Sequence, residues 1–181
     1  MTDTSNTLPD LSRRNLLKVG VMGSAFLATA GVTATLSGCS ASKPGTGMQA
    51  LRDTDLPMLS AIIPAILAGA VAPEKLPAAI KGTLSSIDAS LAHLSPELLK
   101  MTLQLFDLLS MGITRGPLTG IWGSWQKASI EDVNAFLLRW QNSSLAMLNM
   151  GYGSLVQLVQ MSWYGRKESW AHCGYPGPPT V

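Results

Sequence analysis

The sequence predicts an all-α fold: a small irregular helical bundle that follows an N-terminal signal peptide and a flexible tether. No segment of the 181 residues shows the sustained alternation of apolar and polar positions that marks a β-strand. Apolar residues recur instead every three or four positions, between proline, serine and glycine signals for helix ends. Because 46% of the residues are hydrophobic and only 13% are charged, the bulk of the chain is not disordered.

The first element in the chain is an export signal. Ser12, Arg13, Arg14, Leu16, Leu17 and Lys18 form a twin-arginine pattern directly before an uncharged stretch, residues 19–35. This resembles the signal peptide of the twin-arginine translocation (Tat) pathway, with leucine where phenylalanine is commonest. The alternative is a transmembrane anchor, which is disfavoured because 17 residues including three glycines are marginal for crossing a ~30 Å hydrocarbon core.

A lipidation signal ends the leader. Leu36-Ser37-Gly38-Cys39 resembles the lipobox of bacterial lipoproteins, in which a cysteine thiol accepts diacylglycerol. An ordinary cysteine beyond a different cleavage site is the alternative. We therefore expect a signal peptide over residues 1–38, a lipidated tether over 39–50 and attachment to the periplasmic face of either the inner or the outer membrane.

Three helices are predicted at the start of the helical domain, residues 51–164. Asp53 is expected to cap a helix that runs to about Leu67, with a kink or break at Pro64, which lacks a backbone N–H. Pro77 suits the first turn of a second helix. Ser95-Pro96-Glu97 predicts a third, with a cap, an N1 proline and an acid near the helix N-terminus. Its expected apolar positions are Leu98, Met101, Leu105, Leu108 and Leu109.

The second half of the domain is predicted from similar signals. Residues 112–120 are expected to form a loop, followed by a short helix through Trp122 and Trp125. Ser129 predicts the cap of another helix, and a long helix is expected from about Ser143 to Trp163. The tail, residues 165–181, is too rich in proline and glycine to predict regular structure.

The long C-terminal helix and the tail are the candidate binding region. Residues 142–163 contain no charged side chain in 22 positions, and nine of the 11 aromatic residues follow residue 120. The helix is either central in the bundle or covered on one side by its own core and on the other by a partner protein. The tail either docks on that partner or folds back over the bundle. The candidate partner-binding residues are Trp163, Tyr164, Trp170, Tyr175, Pro176, Gly177 and Pro178.

Several functions are excluded or disfavoured. A formal charge of +2 does not provide the basic surface that binds nucleic acid. Two cysteines and two histidines exclude a disulfide scaffold and most metal sites, and no nucleophile with a base and an orienting group is apparent. We therefore expect no enzyme activity and no cofactor in this chain. If Cys39 is acylated, Cys173 has no partner and is expected to be a small buried apolar residue.

Two motifs resemble those of a known family. Leu51-x-x-x-Asp55-x-x-x-Leu59-x-x-Ile62-Ile63-Pro64 begins the helical domain, and Trp170-x-x-x-Gly174-Tyr175-Pro176-Gly177-Pro178 lies near the end. With the Tat-type leader, this pattern is similar to the gluconate 2-dehydrogenase subunit 3 family. Its members are small periplasmic subunits that accompany a flavin dehydrogenase of the glucose–methanol–choline (GMC) type, often with a cytochrome c subunit. The lipobox departs from some relatives.

The resemblance implies a non-catalytic accessory subunit. Such a chain would bind the folded GMC-type flavoprotein, whose FAD stays in the partner, and would assist its Tat export, maturation and membrane attachment. A cytochrome c subunit is a possible third component. The alternative function is a free-standing envelope lipoprotein with a structural or ligand-binding role, which requires no co-exported partner.

Overall fold

The helix over residues 56–66 lies in the core of the fold and packs against three other α-helices and one 3₁₀ turn. The computed structural model describes residues 43–177. Within this range the chain is helical, without strands, which confirms the all-α prediction. The α-helices are α1 (Leu56–Ile66), α2 (Leu76–Ala92), α3 (Pro96–Ser110), α4 (Gly112–Thr119), α5 (Ile130–Gln141), α6 (Ala146–Tyr164) and α7 (Lys167–Cys173), and 3₁₀ turns lie at Pro73–Lys75 and Trp125–Lys127.

α1 contributes four buried apolar side chains to the core. Met58, Leu59, Ile62 and Ile63 are fully buried, and the helix packs against α2, α5, α6 and the second 3₁₀ turn. The helix also continues through Pro64 and ends two residues later at Ile66, so it is not broken at the proline. Contacts on several sides hold the backbone helical where Pro64 removes one hydrogen bond.

A buried ion cluster, rather than the predicted Asp53 cap, precedes α1. Asp55 occupies the N-cap position, but its carboxylate accepts hydrogen bonds from the backbone N–H and the guanidinium of Arg52 at 2.8–3.0 Å. Arg52 also pairs with Asp107 of α3 at 2.7 Å. The hydrogen bond to Asp55 raises the pKa of Arg52 despite burial, so the guanidinium stays charged and ties α1 to α3.

The folded unit begins earlier than the sequence predicted. Residues 43–50 were expected to belong to the tether, but they pack with the bundle. The buried carboxylate of Asp88 in α2 accepts hydrogen bonds from the backbone N–H groups of Gln49, Ala50 and Leu51 at 2.8–2.9 Å. These long-range contacts have no local sequence signal, because the donors belong to the backbone and the acceptor lies 37–39 residues away.

Two of the predicted helix caps are present. Ser95 accepts a hydrogen bond from the N–H of Leu98 at the start of α3. Ser129 and Asp132 form a reciprocal capping box at the start of α5. Both start signals were therefore interpreted correctly.

The interpretation of residues 112–127 was wrong in part. Gly112–Thr119 is helix α4 rather than a loop, and the short helix expected through Trp122 and Trp125 is a 3₁₀ turn over Trp125–Lys127 that does not include Trp122. The guanidinium of Arg115 donates to the carbonyl groups of Ser110 and Ile121, which holds both ends of α4. Gly116 lies so close to Trp122 that a Cβ atom would be 2.5 Å from the indole ring. Contacts of α4 with the residues at its two ends thus stabilise a segment with poor helix propensity.

α3 presents to solvent part of the face that was expected to be buried. Leu98, Met101 and Leu108 are exposed, and only Leu109 of the five predicted apolar positions is fully buried. Phe106 and Leu109 belong to the core, and Leu99, Leu103 and Leu105 pack against it. Because α3 is apolar on two adjacent faces, its periodicity alone does not distinguish the buried face from the exposed one.

Candidate functional site

The outer face of α6 is uncharged and largely apolar. The inner face packs on the bundle through Gly151, Leu155, Val159, Ser162 and Trp163. On the opposite side, Met147, Met150 and Met161 expose 71%, 70% and 68% of their surface, and Tyr164 exposes 42%. The structure therefore gives α6 one face that is covered by the bundle and an opposite face that is exposed.

Six of the ten exposed residues of α6 follow one line along the helix. Positions 147, 150, 154, 157, 161 and 164 are separated by alternating steps of three and four residues, which places them on one face. The polar side chains in this line bond within the helix: Ser154 donates to the carbonyl oxygen of Met150, and the amide of Gln157 lies 3.6 Å from the sulfur of Met161. We call the six residues of this line, at positions 147, 150, 154, 157, 161 and 164, the methionine face.

An aromatic cluster lies at the C-terminal end of the methionine face. The indole N–H of Trp170 donates to the carbonyl oxygen of Tyr164 at 3.2 Å. The ring of Tyr175 packs edge-on against Trp170, with 5.3 Å between the ring centroids. Gly177 lies beside the same indole with φ at 104°, a conformation that favours glycine. Tyr175 remains 47% exposed, so the cluster is open to solvent.

The base of the tail is held by the bundle itself. Residues 167–173 form helix α7, although the sequence predicted no regular structure there. The guanidinium of Arg166 donates to the carbonyl oxygen of Gly82 and to the hydroxyl of Ser86 in α2, at 3.0 and 3.2 Å. Ser169 is fully buried. The start of the tail is therefore part of the folded unit, while its aromatic cluster remains exposed.

The structure brings most of the predicted partner-binding residues together. Trp170 contacts Tyr164, Tyr175 and Gly177, and the neighbouring residue Pro176 is exposed. Trp163 is 5% exposed and belongs to the core, where its indole N–H has no hydrogen-bond partner among residues 43–177. The predicted residues Ser12, Arg13, Arg14, Leu16, Leu17, Lys18, Cys39 and Pro178 lie outside the described range.

Sequence analysis missed the three methionines of the face. Their signal was present: positions 147, 150 and 161 are three and 11 residues apart, or about one and three helical turns, on a helix without charge. The expectation for Cys173 was also wrong, because this residue is exposed. Its thiol lies 3.4 Å from the carbonyl oxygen of Trp170, on the short terminal helix rather than in the core.

Two open surface depressions lie beside α1. The first, of about 680 Å³, is lined by α1, the second 3₁₀ turn and the start of α5, and the second, of about 410 Å³, is lined by the end of α1, α5 and α6. None of the 12 described residues around the first depression, or of the nine around the second, is charged. The first depression shares no lining residue with α6, whereas Tyr152, Val156 and Gln160 of α6 line the second.

Other kinds of site were sought in the same part of the chain. Among residues 43–177, no group of three or more His, Cys, Asp or Glu side chains could hold a metal ion. In that range, no helix is both long and apolar enough to cross a membrane. Comparison with protein-family models, with curated proteins and with solved structures gives no match to this chain.

Proposed function

We propose that this chain is a non-catalytic small subunit that binds a folded flavin dehydrogenase of the GMC type. In this role it assists the Tat export, the maturation and the membrane attachment of the flavoprotein, whose FAD belongs to the partner. A cytochrome c subunit is a further proposed component. In this proposal the protein is periplasmic, and a lipid on Cys39 anchors it to the inner or outer membrane.

The observation that supports this function best is the methionine face. Ten of the 19 residues of α6 are exposed, although the helix carries no charge. A solvated helix face normally carries charged side chains, whereas the cores of protein interfaces are depleted of charge and enriched in methionine and aromatic residues. Flexible thioether side chains also adapt to irregular apolar surfaces. A face of this composition is suited to a folded protein partner.

The Tat-type leader supports the proposed export of a folded complex. A flavoprotein binds its cofactor in the folded state, and the Tat pathway carries folded proteins. The twin arginine at positions 13 and 14 would therefore serve a pre-formed complex as well as it serves this chain alone. The aromatic cluster adds Trp170 and Tyr175, two residue types that are common among interface hot spots, at one end of the same face.

Charge substitutions on the methionine face test the binding function. The double variant Met150→Lys/Met161→Lys, in a tagged chain in its native host, should lose the flavin absorbance that co-purifies with the wild-type protein. Met101→Lys/Met111→Lys is the matched control, because these methionines are 65% and 49% exposed but lie on α3 and directly after it. Retention of flavoprotein by the first variant at wild-type yield would contradict the proposal.

Export and anchoring need separate variants. Replacing Arg13 and Arg14 by lysine should keep both this chain and the flavoprotein in the cytoplasm, as measured by cell fractionation. Cys39→Ala should release processed protein from membranes or stall its processing. Appearance of the flavoprotein in the periplasm with the first variant would show that it is exported independently.

A free-standing envelope lipoprotein is the second candidate function. The uncharged depression of about 680 Å³ beside α1 is the feature that would serve a ligand-binding role of that kind. A chain with this function would purify from membranes without flavin. The two candidate functions thus differ in the outcome of the same purification.

A further inference from the structure

The two most exposed large apolar side chains of residues 43–177 lie on α4 and just after it. Trp122 exposes 77% of its surface and Ile113 exposes 75%. The indole ring of Trp122 lies against Gly116, where a Cβ atom would be 2.5 Å from the ring. Ile113, Gly116 and the exposed Pro117 share one face of α4, because they are three and four positions apart. We call Ile113, Pro117 and Trp122 the tryptophan surface.

The charged side chains that bond to this segment are arginines. The guanidinium of Arg115 donates to the carbonyl oxygen of the residue before Trp122 at 3.3 Å. The exposed Arg139 of α5 donates to a carbonyl oxygen near the end of α4 at 3.1 Å. No acidic residue occurs in the sequence between Asp107 and Glu131, over 23 positions. The charge beside the tryptophan surface is therefore positive and complements an anionic partner.

This combination of side chains is suited to a lipid surface. Tryptophan has an apolar ring and a polar N–H group, and it is enriched where a membrane meets water. An aliphatic side chain such as Ile113 can enter the boundary between headgroups and acyl chains, and arginines are attracted to anionic headgroups. A protein partner would have to provide an apolar pocket with acidic groups beside it, whereas an anionic bilayer offers both over its whole area.

The chain also enters the bundle near this segment. A Cβ atom at Gly45 would contact the side chain of Asp53, and the neighbouring Arg52 pairs with Asp107 near the end of α3. α4 begins directly after α3. Cys39 precedes the first described residue by four positions, which span at most about 14 Å. A lipid on Cys39 would therefore keep the bilayer within reach of α4.

We propose that the tryptophan surface docks on an anionic phospholipid bilayer. Trp122 lies at the level of the headgroups, Ile113 enters the acyl boundary and Arg139 faces the lipid phosphates. The inference rests on the proposed membrane attachment, because a lipid anchor would hold this surface at the membrane. The surface alone binds weakly, in agreement with the release that is expected for Cys39→Ala.

Vesicle sedimentation with the mature Cys39→Ala chain tests the surface without the anchor. We expect at least fivefold tighter binding to an equimolar mixture of phosphatidylcholine and phosphatidylglycerol than to phosphatidylcholine alone, since one arginine near an anionic surface contributes about this factor. High salt should remove the preference. Absence of binding to the anionic vesicles, or equal binding to both, would overturn the proposal. Lipidation of Cys39 is a separate question, which mass spectrometry of the native N-terminus answers.

A double variant locates the contact. Ile113→Ser/Trp122→Ser should lower the affinity for the anionic vesicles at least tenfold. Leu138→Ser/Leu145→Ser is the matched control, because these leucines are also 56% and 62% exposed but lie outside the tryptophan surface. Circular dichroism and thermal unfolding establish that each variant is folded. Wild-type affinity in the first variant, or an equal loss in the control, would contradict the assignment.

A milder variant keeps the aromatic ring and reports its depth. Vesicles with brominated acyl chains should quench part of the tryptophan fluorescence of the Cys39→Ala chain. Trp122→Phe should bind these vesicles within about threefold of this affinity but lose most of the quenching, because Trp125, Trp140 and Trp163 are buried. Quenching that persists in Trp122→Phe would show that another part of the chain contacts the lipid.

The competing occupant of this surface is a protein. With Cys39 intact, Ile113→Ser/Trp122→Ser should still co-purify with the proposed flavoprotein at wild-type yield, because the methionine face is unchanged. Loss of flavin absorbance together with unchanged vesicle binding would assign the tryptophan surface to a protein partner and overturn the proposal. Loss of flavin only in the methionine-face variants leaves the two surfaces with separate partners, as proposed.

Discussion

Helices α1 and α6 are both uncharged, but their surroundings differ. None of the 11 residues of α1, all within the described part of the chain, is exposed, because other elements surround the helix. In α6, ten of 19 residues are exposed, and three of them are methionines at about 70% exposure. Burial accounts for the lack of charge in α1 but not on the outer face of α6.

The comparison shows what an uncharged helix does and does not predict. Such a sequence indicates that water is excluded from the helix, but it does not say whether the same chain or a second molecule excludes it. In α1 the aliphatic side chains pack against the other elements of the bundle. In α6 the flexible methionines occupy the side that the bundle leaves open. This difference is the reason for proposing a protein partner at α6.

The largest expected difference between the two helices concerns stability. Ile62→Ala in α1 should lower the free energy of unfolding by about 2–5 kcal/mol, because it leaves a cavity in the fully buried core. Met150→Ala on the outer face of α6 should change it by less than about 0.5 kcal/mol. Chemical denaturation of the two mature variants measures both values. Similar losses would mean that Met150 is part of the core of this chain.

Two glycines of α6 lie on its two different faces and allow the faces to be compared. A Cβ atom at Gly151 would lie 2.6 Å from the ring of Trp140, whereas at Gly153 it would meet no described atom within 4 Å. Gly151→Ala should therefore destabilise the protein by about 1–3 kcal/mol through overpacking. Gly153→Ala should stabilise it by up to about 1 kcal/mol, because alanine is a better helix former. Thermal unfolding compares them, and equal effects would contradict the arrangement of α6.

The smallest effect concerns the segment before α1 and depends on pH. Burial tends to raise the pKa of Asp88, but the N–H groups of Leu51, Ala50 and Gln49 outweigh this effect and lower it. Since the native pKa lies below the unfolded value, the carboxylate stabilises the fold above about pH 4 and loses this contribution as the pH falls further. Asp88→Asn should cost about 1 kcal/mol at pH 7. Its deficit relative to wild type should shrink toward pH 3 in acid titrations of unfolding. A deficit that does not depend on pH would contradict a role for the charge.

The sequence predicted those parts of the fold that have local signals. Ser95 and Ser129 mark their helix starts because each cap forms within three residues. α4 and α7 were not predicted: Arg115 holds α4 through backbone carbonyl groups at its two ends, which leave no residue pattern, and the contacts of Arg166 at α7 depend on tertiary structure. The aromatic part of the candidate site was predicted from composition. The methionine face was not, because apolar spacing predicts a face without saying what covers it.

Methionine oxidation measures the central claim most directly. Brief treatment with hydrogen peroxide, followed by mass spectrometry, reports how accessible each thioether is. In the isolated mature chain, the exposed residues Met147, Met150 and Met161 should oxidise readily, as should Met101. In the purified complex with the flavoprotein, the three α6 methionines should be protected while Met101 still oxidises. Equal oxidation of the α6 methionines with and without the flavoprotein would contradict the methionine face as the binding surface.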